Sequence, residues 1–233
     1  MKLAIFIPAY NEQDTIGKVL ADIPKHFWGI SEHKVFVIDD GSRDKTVSVA
    51  RAHGVEVIEI MPNRGLANAF RVGLAACLDF GADIIVHLDA DGQYDPAEIG
   101  KIIEPLLKDE ADMVTGDRQI ARLGFMRPSK KYGNMLGSWF LRTLAGLKIK
   151  DVSSGFRAYT AATAGKLKVS SEHTYTHETL IRASRLGLRI AQVPITFIAR
   201  EKGSSRLISG RLAVLKHIVK SVRGIFAVLK DSP

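Results

Sequence analysis

Cysteine is almost missing from this 233-residue sequence, which contains Cys77 alone. One cysteine excludes an internal disulfide and a cysteine-based zinc site, and it fits a chain that stays in a reducing compartment. The sequence also lacks an apolar run of the roughly 18 residues that a membrane-spanning helix needs. Residues 1–8 lead directly into polar residues and show no signal-peptide pattern. We therefore expect a protein that is made and kept in the cytoplasm.

Two common nucleotide-binding motifs are missing as well. No G-x-G-x-x-G follows the first predicted strand, and no G-x-x-x-x-G-K-[ST] occurs anywhere. These absences argue against a dinucleotide-dependent oxidoreductase and against a P-loop NTPase. The apolar content of 46% is nevertheless enough for a substantial core. The length fits one large α/β domain or one domain with an appendage.

Acidic residues are missing from residues 118–150, which carry eight basic side chains. Residues 1–117 have the opposite balance, with 11 basic and 20 acidic side chains and a net charge of −9, whereas residues 118–233 have a net charge of +17. Such an asymmetry indicates an anionic partner on one side of the molecule, whether nucleic acid, a membrane surface or a phosphorylated substrate.

Short apolar runs alternate with helical segments in the first half of the chain. Strands are predicted at residues 2–7, 34–38, 55–60, 84–88 and 112–115, with helices at residues 12–23, 44–53, 66–80 and 96–108. This alternation predicts an α/β fold with a mostly parallel sheet and helices on both faces. Further along, a helix is predicted at residues 129–147, another opens at 175, and a late strand lies at 189–197.

The stretch IIVHLDADGQ, residues 84–93, holds the strongest chemical signal. Asp89 and Asp91 follow a buried strand and are spaced to project to the same side, just beyond the strand's carboxyl end, where open α/β sheets bind ligands. With the amide oxygen of Gln93 they form an incomplete set of oxygen ligands. Such a set suits Mg²⁺ or Mn²⁺ completed by water and substrate phosphates. The alternative is a solvated Asp-rich turn.

Three predicted strands end in loops that carry acids: PAYNE at residues 8–12, DDGS at 39–42 and DADGQ at 89–93. In a parallel sheet these loops share one edge, where an aspartate can accept hydrogen bonds from a nucleobase or ribose. Asp39 has an alternative role as the N-cap of the next helix.

The order and spacing of PAYNE, DDGS, the Asn63–Gly65 turn, HLDADGQ and DVSSGFRAY (residues 151–159) resemble those of family 2 glycosyltransferases of the GT-A fold. The resemblance covers residues 1–207 and is greatest to the dolichol-phosphate (polyprenyl-phosphate) mannose and glucose synthases. It implies an inverting, metal-dependent transfer of a hexose from a nucleotide sugar (GDP-mannose or a UDP-hexose) to dolichyl or polyprenyl phosphate.

The resemblance also implies which residues bind the donor and the metal. The metal would be bound by Asp89, Asp91 and Gln93, and Arg118 joins the two aspartates as a catalytic candidate. The nucleotide sugar would be bound by Pro8, Ala9, Tyr10, Glu12, Asp39, Asp40, Asp89, Ala90, Asp91 and Gln93.

The second half offers candidates for binding the acceptor. Its basic loop, residues 117–131, is interpreted as a phosphate-binding segment rather than as a merely solvated loop. Glu178 or His177 would serve as the base for a hydroxyl acceptor, whereas a phosphate acceptor needs none; Glu178 is alternatively a helix-end carboxylate. The acceptor candidates are Arg118, Arg127, Lys130, Lys131, Ser154, Gly155, Arg157, Glu178, Arg200 and Arg206.

Two predicted helices in the second half have apolar stripes. In residues 129–147 the stripe of Tyr132, Met135, Leu136, Trp139, Phe140 and Leu144 is expected to pack in the core. In residues 208–229 apolar residues recur at helical spacing beside Lys216, Lys220 and Arg223. That second helix either packs on the domain or lies in the membrane interface, and any stronger anchoring would come from a partner protein.

We accordingly divide the chain into a nucleotide-sugar half (1–117), an acceptor half of the same domain (118–206) and a C-terminal amphipathic helix (207–233). The expected location is the cytoplasmic face of a membrane, to which the protein binds peripherally. Two alternatives remain at this stage. One is a family 2 enzyme that glycosylates a sugar hydroxyl with Glu178 as the base. The other is a nucleic-acid-binding module, which would leave the acidic strand ends unexplained.

Overall fold

The computed structural model describes residues 1–126, 128–170 and 175–200, without the side chains of Ser129, Lys130 and Leu144. Arg127, Arg206 and the predicted helix at 207–233 therefore lie outside the described residues. The strands are β1 (Lys2–Ala9), β2 (Glu32–Asp39), β3 (Glu56–Glu59), β4 (Ile84–His87), β5 (Met113–Asp117), β6 (Arg157–Thr160) and β7 (Ile190–Pro194). The helices are α1 (Ile16–Ala21), α2 (Thr46–Ala52), α3 (Leu66–Asp79), α4 (Ile99–Leu107), α5 (Pro128–Ala145), α6 (Ala161–Lys166) and α7 (Tyr175–Arg185).

Within these residues the strands form one sheet in the order β3-β2-β1-β4-β6-β5-β7. All neighbouring strands are parallel except at β6, which runs antiparallel to both β4 and β5. The predicted α/β fold with a mostly parallel sheet is therefore confirmed. Since β6 lies between β4 and β5, the two predicted halves of the domain share one sheet.

Side-chain alternation along the strands divides the buried residues into two clusters, one on each face of the sheet. In β1, Phe6 packs against Phe70 of α3 in one cluster, while Ile5 belongs to the other cluster together with Ile102 of α4. A β-carbon on Gly73 of α3 would lie 2.3 Å from the Phe6 ring, so this glycine lets α3 approach the sheet closely. Each large apolar side chain buried in these clusters contributes about 1.5–3 kcal/mol.

The sequence did not indicate strand β6. Its four residues, Arg157–Thr160, lie inside the motif at 151–159, and Arg157 is buried against the neighbouring strands and helices. A strand this short gives no clear period in the sequence. Its position is set by pairing with β4 and β5, which are distant in the chain.

Helix α5 turns its bulky apolar side chains outward, so the expectation that they pack in the core was wrong. Five of them are between 42% and 69% exposed: Tyr132, Met135, Leu136, Trp139 and Phe140. The buried face instead contains Ser138 and Leu141, and Ser184 of α7 donates a hydrogen bond to the carbonyl of Ala145. Helical spacing shows that residues share a face, but not which face meets the domain. No helix in the described part of the chain is long and apolar enough to cross a membrane.

Candidate active site

The carboxyl ends of β1, β2 and β4 lie next to one another, so the three acid-bearing loops share one edge of the sheet. Because β6 is antiparallel to β4, the loop that precedes β6 lies at the edge where β4 ends. This arrangement brings residues 151–155 to the D-x-D segment. The loops that the sequence singled out therefore converge on one place.

Asp39 and Asp40, at the end of β2, have different surroundings. The Oδ2 atom of Asp39 accepts a hydrogen bond from the Ser42 backbone at 2.9 Å, while its buried Oδ1 has no hydrogen-bond partner among the described residues. Lys45, and not Asp39, occupies the N-cap of α2. A buried carboxylate oxygen without a partner is costly unless a ligand supplies a donor, which fits the proposed nucleotide contact.

Asp40 stabilises the turn before α3. Its two carboxylate oxygens accept hydrogen bonds from the backbone N–H groups of Arg64 and Gly65, both at 2.8 Å. Its carbonyl accepts a further bond from the Asn63 side chain at 2.7 Å. These bonds give Asp40 a structural role in the turn, and its contact with the nucleotide stays a prediction.

Asp89 and Asp91 follow β4 and are partly exposed at the site. Burial, followed by the nearby charge of Asp91, raises the pKa of Asp89 to about 7. Burial also raises the pKa of Asp91, whose Oδ1 accepts a hydrogen bond from the Gln93 backbone at 3.1 Å. Two neighbouring carboxyl groups with raised pKa values do not readily ionise at the same time. A bound cation would stabilise their ionised forms.

The residues at this position fit a divalent metal. The described residues contain no group of three or more histidine, cysteine or acidic side chains that could hold a metal ion. Asp89, Asp91 and Gln93 would form an incomplete set of ligands. Two carboxylates with positions left for water and phosphate are typical of Mg²⁺ or Mn²⁺ sites. The Gln93 side chain donates to the carbonyl of Ile198 at 3.1 Å, which leaves its oxygen as the atom available to a metal.

Gly155 packs directly against Asp89. A β-carbon on Gly155 would lie 2.6 Å from Asp89 Oδ2, so any larger residue would displace the carboxylate. The glycine was predicted to permit the approach of a ligand, and the group that approaches it within the chain is Asp89 itself. The Gly155 N–H donates to the Tyr94 hydroxyl at 2.9 Å, and its carbonyl lies 2.5 Å from His87 Nδ1.

His87 and Tyr94 were not among the predicted site residues. Burial lowers the pKa of His87 to about 3, so the ring is neutral at physiological pH. Burial raises the pKa of Tyr94 to about 12. The available signal was the HLDADGQY motif itself, which places both residues beside the two aspartates.

Arg118 is tied to Asp151 by a two-pronged ion pair. Its Nε and Nη2 atoms lie 2.7 and 2.9 Å from the two carboxylate oxygens, and both side chains are almost completely buried. Burial acts to raise the pKa of Asp151, but the hydrogen bonds and charge of Arg118 outweigh it, and the pKa falls below its usual range. The charge of Arg118 also acts against the rise in the pKa of Asp89, but burial and the charge of Asp91 outweigh it.

Arg157, Ser154 and Glu178 were predicted to bind the acceptor, but all three are buried. Arg157 donates to the carbonyls of residues 152, 154 and 176 and to Thr179 Oγ1 at 2.6–3.0 Å. Glu178 accepts from the Ser170 backbone at 2.9 Å and from Arg182 Nε at 2.9 Å. Arg157 and Glu178 therefore hold neighbouring segments together, while the Ser154 hydroxyl has no hydrogen-bond partner among the described residues. A contact of the three with the acceptor stays a prediction.

Arg200 crosses the site to pair with Glu12. Residues 197–198 run beside the D-x-D segment, where the Ile198 N–H donates to the carbonyl of Gln93 at 2.9 Å. Burial raises the pKa of Asp91, and the positive charge of Arg200 offsets part of that rise. The pairing brings together residues that are 188 positions apart in the chain.

The remaining predicted residues are distributed around this centre. Pro8 and Ala9 end β1, Tyr10 is exposed beyond it, and Ala90 is buried between the two aspartates. Lys131 is partly buried on α5.

A mostly parallel sheet whose carboxyl edge presents a D-x-D pair is the arrangement of a GT-A glycosyltransferase. The chain belongs to glycosyl transferase family 2, whose family model matches residues 4–164. It is 31% identical to an undecaprenyl-phosphate mannosyltransferase of Micrococcus luteus, over 90% of this chain and 89% of that protein. It is 33% identical to a dolichyl-phosphate hexose transferase of Haloferax volcanii, over 94% and 92% of the two chains.

The fold is also that of a solved glucosyl-3-phosphoglycerate synthase from Mycobacterium tuberculosis. The TM-score is 0.71, at 23% sequence identity, and the match covers 98% of this chain and 77% of that chain. The predicted family and enzyme class are thus confirmed. The alternative of a nucleic-acid-binding module is replaced by membership of an enzyme family.

Proposed function

We propose that this glycosyltransferase moves a hexose from a nucleotide sugar to a polyprenyl phosphate, with inversion at the anomeric carbon. The two relatives described above are named for undecaprenyl-phosphate and dolichyl-phosphate transfer, and they align with nearly the whole chain. An oxygen of the lipid phosphate would attack the anomeric carbon as the bond to the diphosphate oxygen breaks. No proton has to move, because the acceptor phosphate is already ionised at neutral pH.

The main observation behind the proposal is that two acidic side chains near the site, Asp151 and Glu178, are already engaged by other residues. Asp151 is bound by Arg118, and Glu178 is bound by Ser170 and Arg182, so neither is arranged as the base that a sugar hydroxyl would need. This favours a phosphate acceptor over the alternative with Glu178 as the base. Arg118 and Arg200 place positive charge beside Asp89 and Asp91, where an anionic donor and acceptor would have to meet.

A divalent ion, Mg²⁺ or Mn²⁺, would be held by Asp89 and Asp91 with the Gln93 oxygen. Bound there, it would neutralise the charge that develops on the departing diphosphate. The structural neighbour from Mycobacterium tuberculosis was solved with Mn²⁺ and uridine diphosphate, which supports a metal in this fold. The unpartnered Oδ1 of Asp39 would accept a hydrogen bond from the nucleoside.

The exposed apolar face of α5 suits an anionic membrane surface. It presents Tyr132, Trp139 and Leu136, and tyrosine and tryptophan prefer the boundary between headgroups and acyl chains. The segment at 118–150 carries eight basic side chains and no acid, so its charge complements anionic lipids.

The same region connects to the site through aromatic rings. Phe125 is 48% exposed and stacks on Phe197, with 6.3 Å between ring centroids. The Phe197 ring centroid lies 5.3 Å from the guanidinium carbon of Arg118. A lipid phosphate that enters from the membrane would therefore pass the rings of Phe125 and Phe197 before it reaches Arg118.

Acceptor chemistry tests the proposed function. We would first identify the donor from a thermal-shift panel of nucleotide sugars with and without Mn²⁺, since a ligand at 100 times its Kd stabilises by about 2.7 kcal/mol. Transfer from that donor would then be compared between a polyprenyl phosphate and the matching polyprenol. We expect transfer to the phosphate alone. Transfer to a sugar hydroxyl, with none to the polyprenyl phosphate, would overturn the proposal.

A further inference from the structure

His87 is a fully buried polar side chain whose orientation is fixed by aromatic neighbours. Its ring lies 4.9 Å from Phe6, 5.5 Å from Phe70 and 5.5 Å from Tyr175, measured between centroids. A ring enclosed on these sides cannot turn without moving the core. Each of its two nitrogens therefore faces one fixed neighbour, Nδ1 the Gly155 carbonyl and Nε2 the Asp89 carboxylate.

The hydrogen bonding of Gly155 determines which nitrogen carries the proton. The Gly155 carbonyl lies 2.5 Å from Nδ1 of His87, and because a carbonyl can only accept, Nδ1 must be the donor. Nε2 is buried without a hydrogen-bond partner among the described residues, and it lies 3.7 Å from Asp89 Oδ1.

These contacts enclose the Asp89 carboxylate from two sides. Gly155 is held at its N–H by the Tyr94 hydroxyl and at its carbonyl by His87, and its α-carbon forms a wall against Asp89 Oδ2. On the Oδ1 side, Nε2 of the buried His87 ring lies 3.7 Å away. In the part of the chain that the structure describes, Asp89 accepts no hydrogen bond, so both oxygens remain available to a cation.

We propose that His87 is a positioning residue for the metal-binding carboxylate of Asp89. Through Nδ1 it holds Gly155 against the carboxylate, and its buried ring lies along the Oδ1 side. This inference rests on the proposed function, which places a divalent ion at Asp89 and Asp91.

Two amide substitutions separate the two nitrogens. In His87→Asn the side-chain amide occupies the place of Nδ1 and can still donate to Gly155. In His87→Gln the amide reaches the place of Nε2, where it loses the Gly155 bond and brings an N–H donor to Asp89. Both variants put an amide into the same cavity, so their costs of burial are matched. His87→Phe keeps the ring volume and removes both nitrogens.

The readout is the affinity of the full chain for Mn²⁺, measured by electron paramagnetic resonance in the presence of UDP or GDP, with melting temperature recorded in parallel. Loss of a residue that orients a metal ligand typically reduces metal affinity by about 10- to 100-fold, and we expect a loss of this size for His87→Gln and His87→Phe. His87→Asn should recover most of the affinity. A merely structural role would lower the melting temperatures and leave the Mn²⁺ affinities of the folded variants equal.

Equal Mn²⁺ affinity in His87→Asn and His87→Gln would overturn the inference, even if His87→Phe fails to fold. Asp91→Asn distinguishes this result from failure of the proposed function. If Asp91→Asn binds Mn²⁺ as tightly as the natural chain, the metal does not lie at the D-x-D pair and the proposed function itself loses its metal site. If Asp91→Asn loses Mn²⁺ while the histidine variants do not differ, only the role of His87 is wrong.

Discussion

Arg118 and Asp151 join the end of β5 to the loop before β6 through a buried ion pair, with 2.7 Å between Nε and Oδ2 and 2.9 Å between Nη2 and Oδ1. The Arg118 backbone N–H donates to the same carboxylate at 3.2 Å. Arg118 is therefore held in place before any substrate arrives. An arginine that is fixed in this way loses little conformational freedom when it meets a phosphate.

Removal of Asp151 should strongly destabilise the fold. Asp151→Ala leaves the Arg118 guanidinium buried without its counter-ion, and breaking a buried pair in this way costs about 3–5 kcal/mol. Urea unfolding of the variant measures the loss. Glu56→Ala is the matched control, because its pair with Lys34 is exposed and should contribute at most about 1 kcal/mol. Equal losses in the two variants would contradict the structural role of the buried pair.

Acid should weaken the same pair. The pKa of Asp151 is lowered in the folded chain, so its contribution to stability is complete above the unfolded value of about 3.9 and is lost as the pH falls through the folded value. Unfolding free energies measured between pH 5 and pH 2 should fall less steeply in Asp151→Asn than in the natural chain. Parallel curves would show that other carboxylates account for the acid sensitivity.

The D-x-D pair should be required for transfer but not for folding. Asp91→Ala should abolish hexose transfer and Asp89→Ala should nearly do so, because each variant removes one of two carboxylates that a metal would need. Melting temperatures should stay close to that of the natural chain, since both side chains are partly exposed. If both variants keep full activity in enzyme treated with EDTA, the metal assignment fails.

Metal affinity should rise with pH. The metal binds the ionised carboxylate, and the pKa of Asp89 is raised to about 7, so below that pH a proton must leave before the ion can bind. Calorimetry in buffers of different ionisation enthalpy should detect close to one proton released per Mn²⁺ at pH 6 and almost none at pH 8. Proton release that does not change with pH would place the titrating group elsewhere.

The apolar face of α5 should contribute to membrane binding. The double substitution Leu136→Ser with Trp139→Ser removes two exposed apolar side chains, each of which contributes about 1.5–3 kcal/mol when fully buried, so sedimentation with vesicles of anionic phospholipid should weaken at least tenfold. Trp28→Ser is the control, because Trp28 is 81% exposed beside α4. Binding should also decline with salt as the basic side chains are screened.

The vesicle experiment would give a different result if another part of the chain covered the apolar face of α5. If residues 208–229 cover this face in solution, a chain that ends at Arg206 should expose new apolar surface and bind more of a hydrophobic dye. The α5 double variant would then lose stability and keep its vesicle binding. That outcome would contradict the membrane proposal for α5.

Much of this protein follows from local sequence patterns. Alternating apolar runs and helical segments predicted the α/β fold, and the acids at the ends of β1, β2 and β4 predicted which edge of the sheet carries the site. The fold prediction is confirmed because side-chain period is a property of neighbouring residues, while the position of the site stays a prediction. The motifs at residues 8–12, 39–42 and 89–93 identified the family for the same reason.

Only the tertiary structure determined which polar groups are bound by other residues and which face of a helix is exposed. Asp39 and Asp40 are adjacent, yet one has an unpartnered oxygen and the other stabilises the turn at Asn63. Arg157 donates to the Thr176 carbonyl and to Thr179 Oγ1 of α7, and α5 faces outward with the side that its spacing suggested was core. In each case the partner comes from a distant part of the chain, so only the folded arrangement determines whether a polar or apolar group is bound, buried or available.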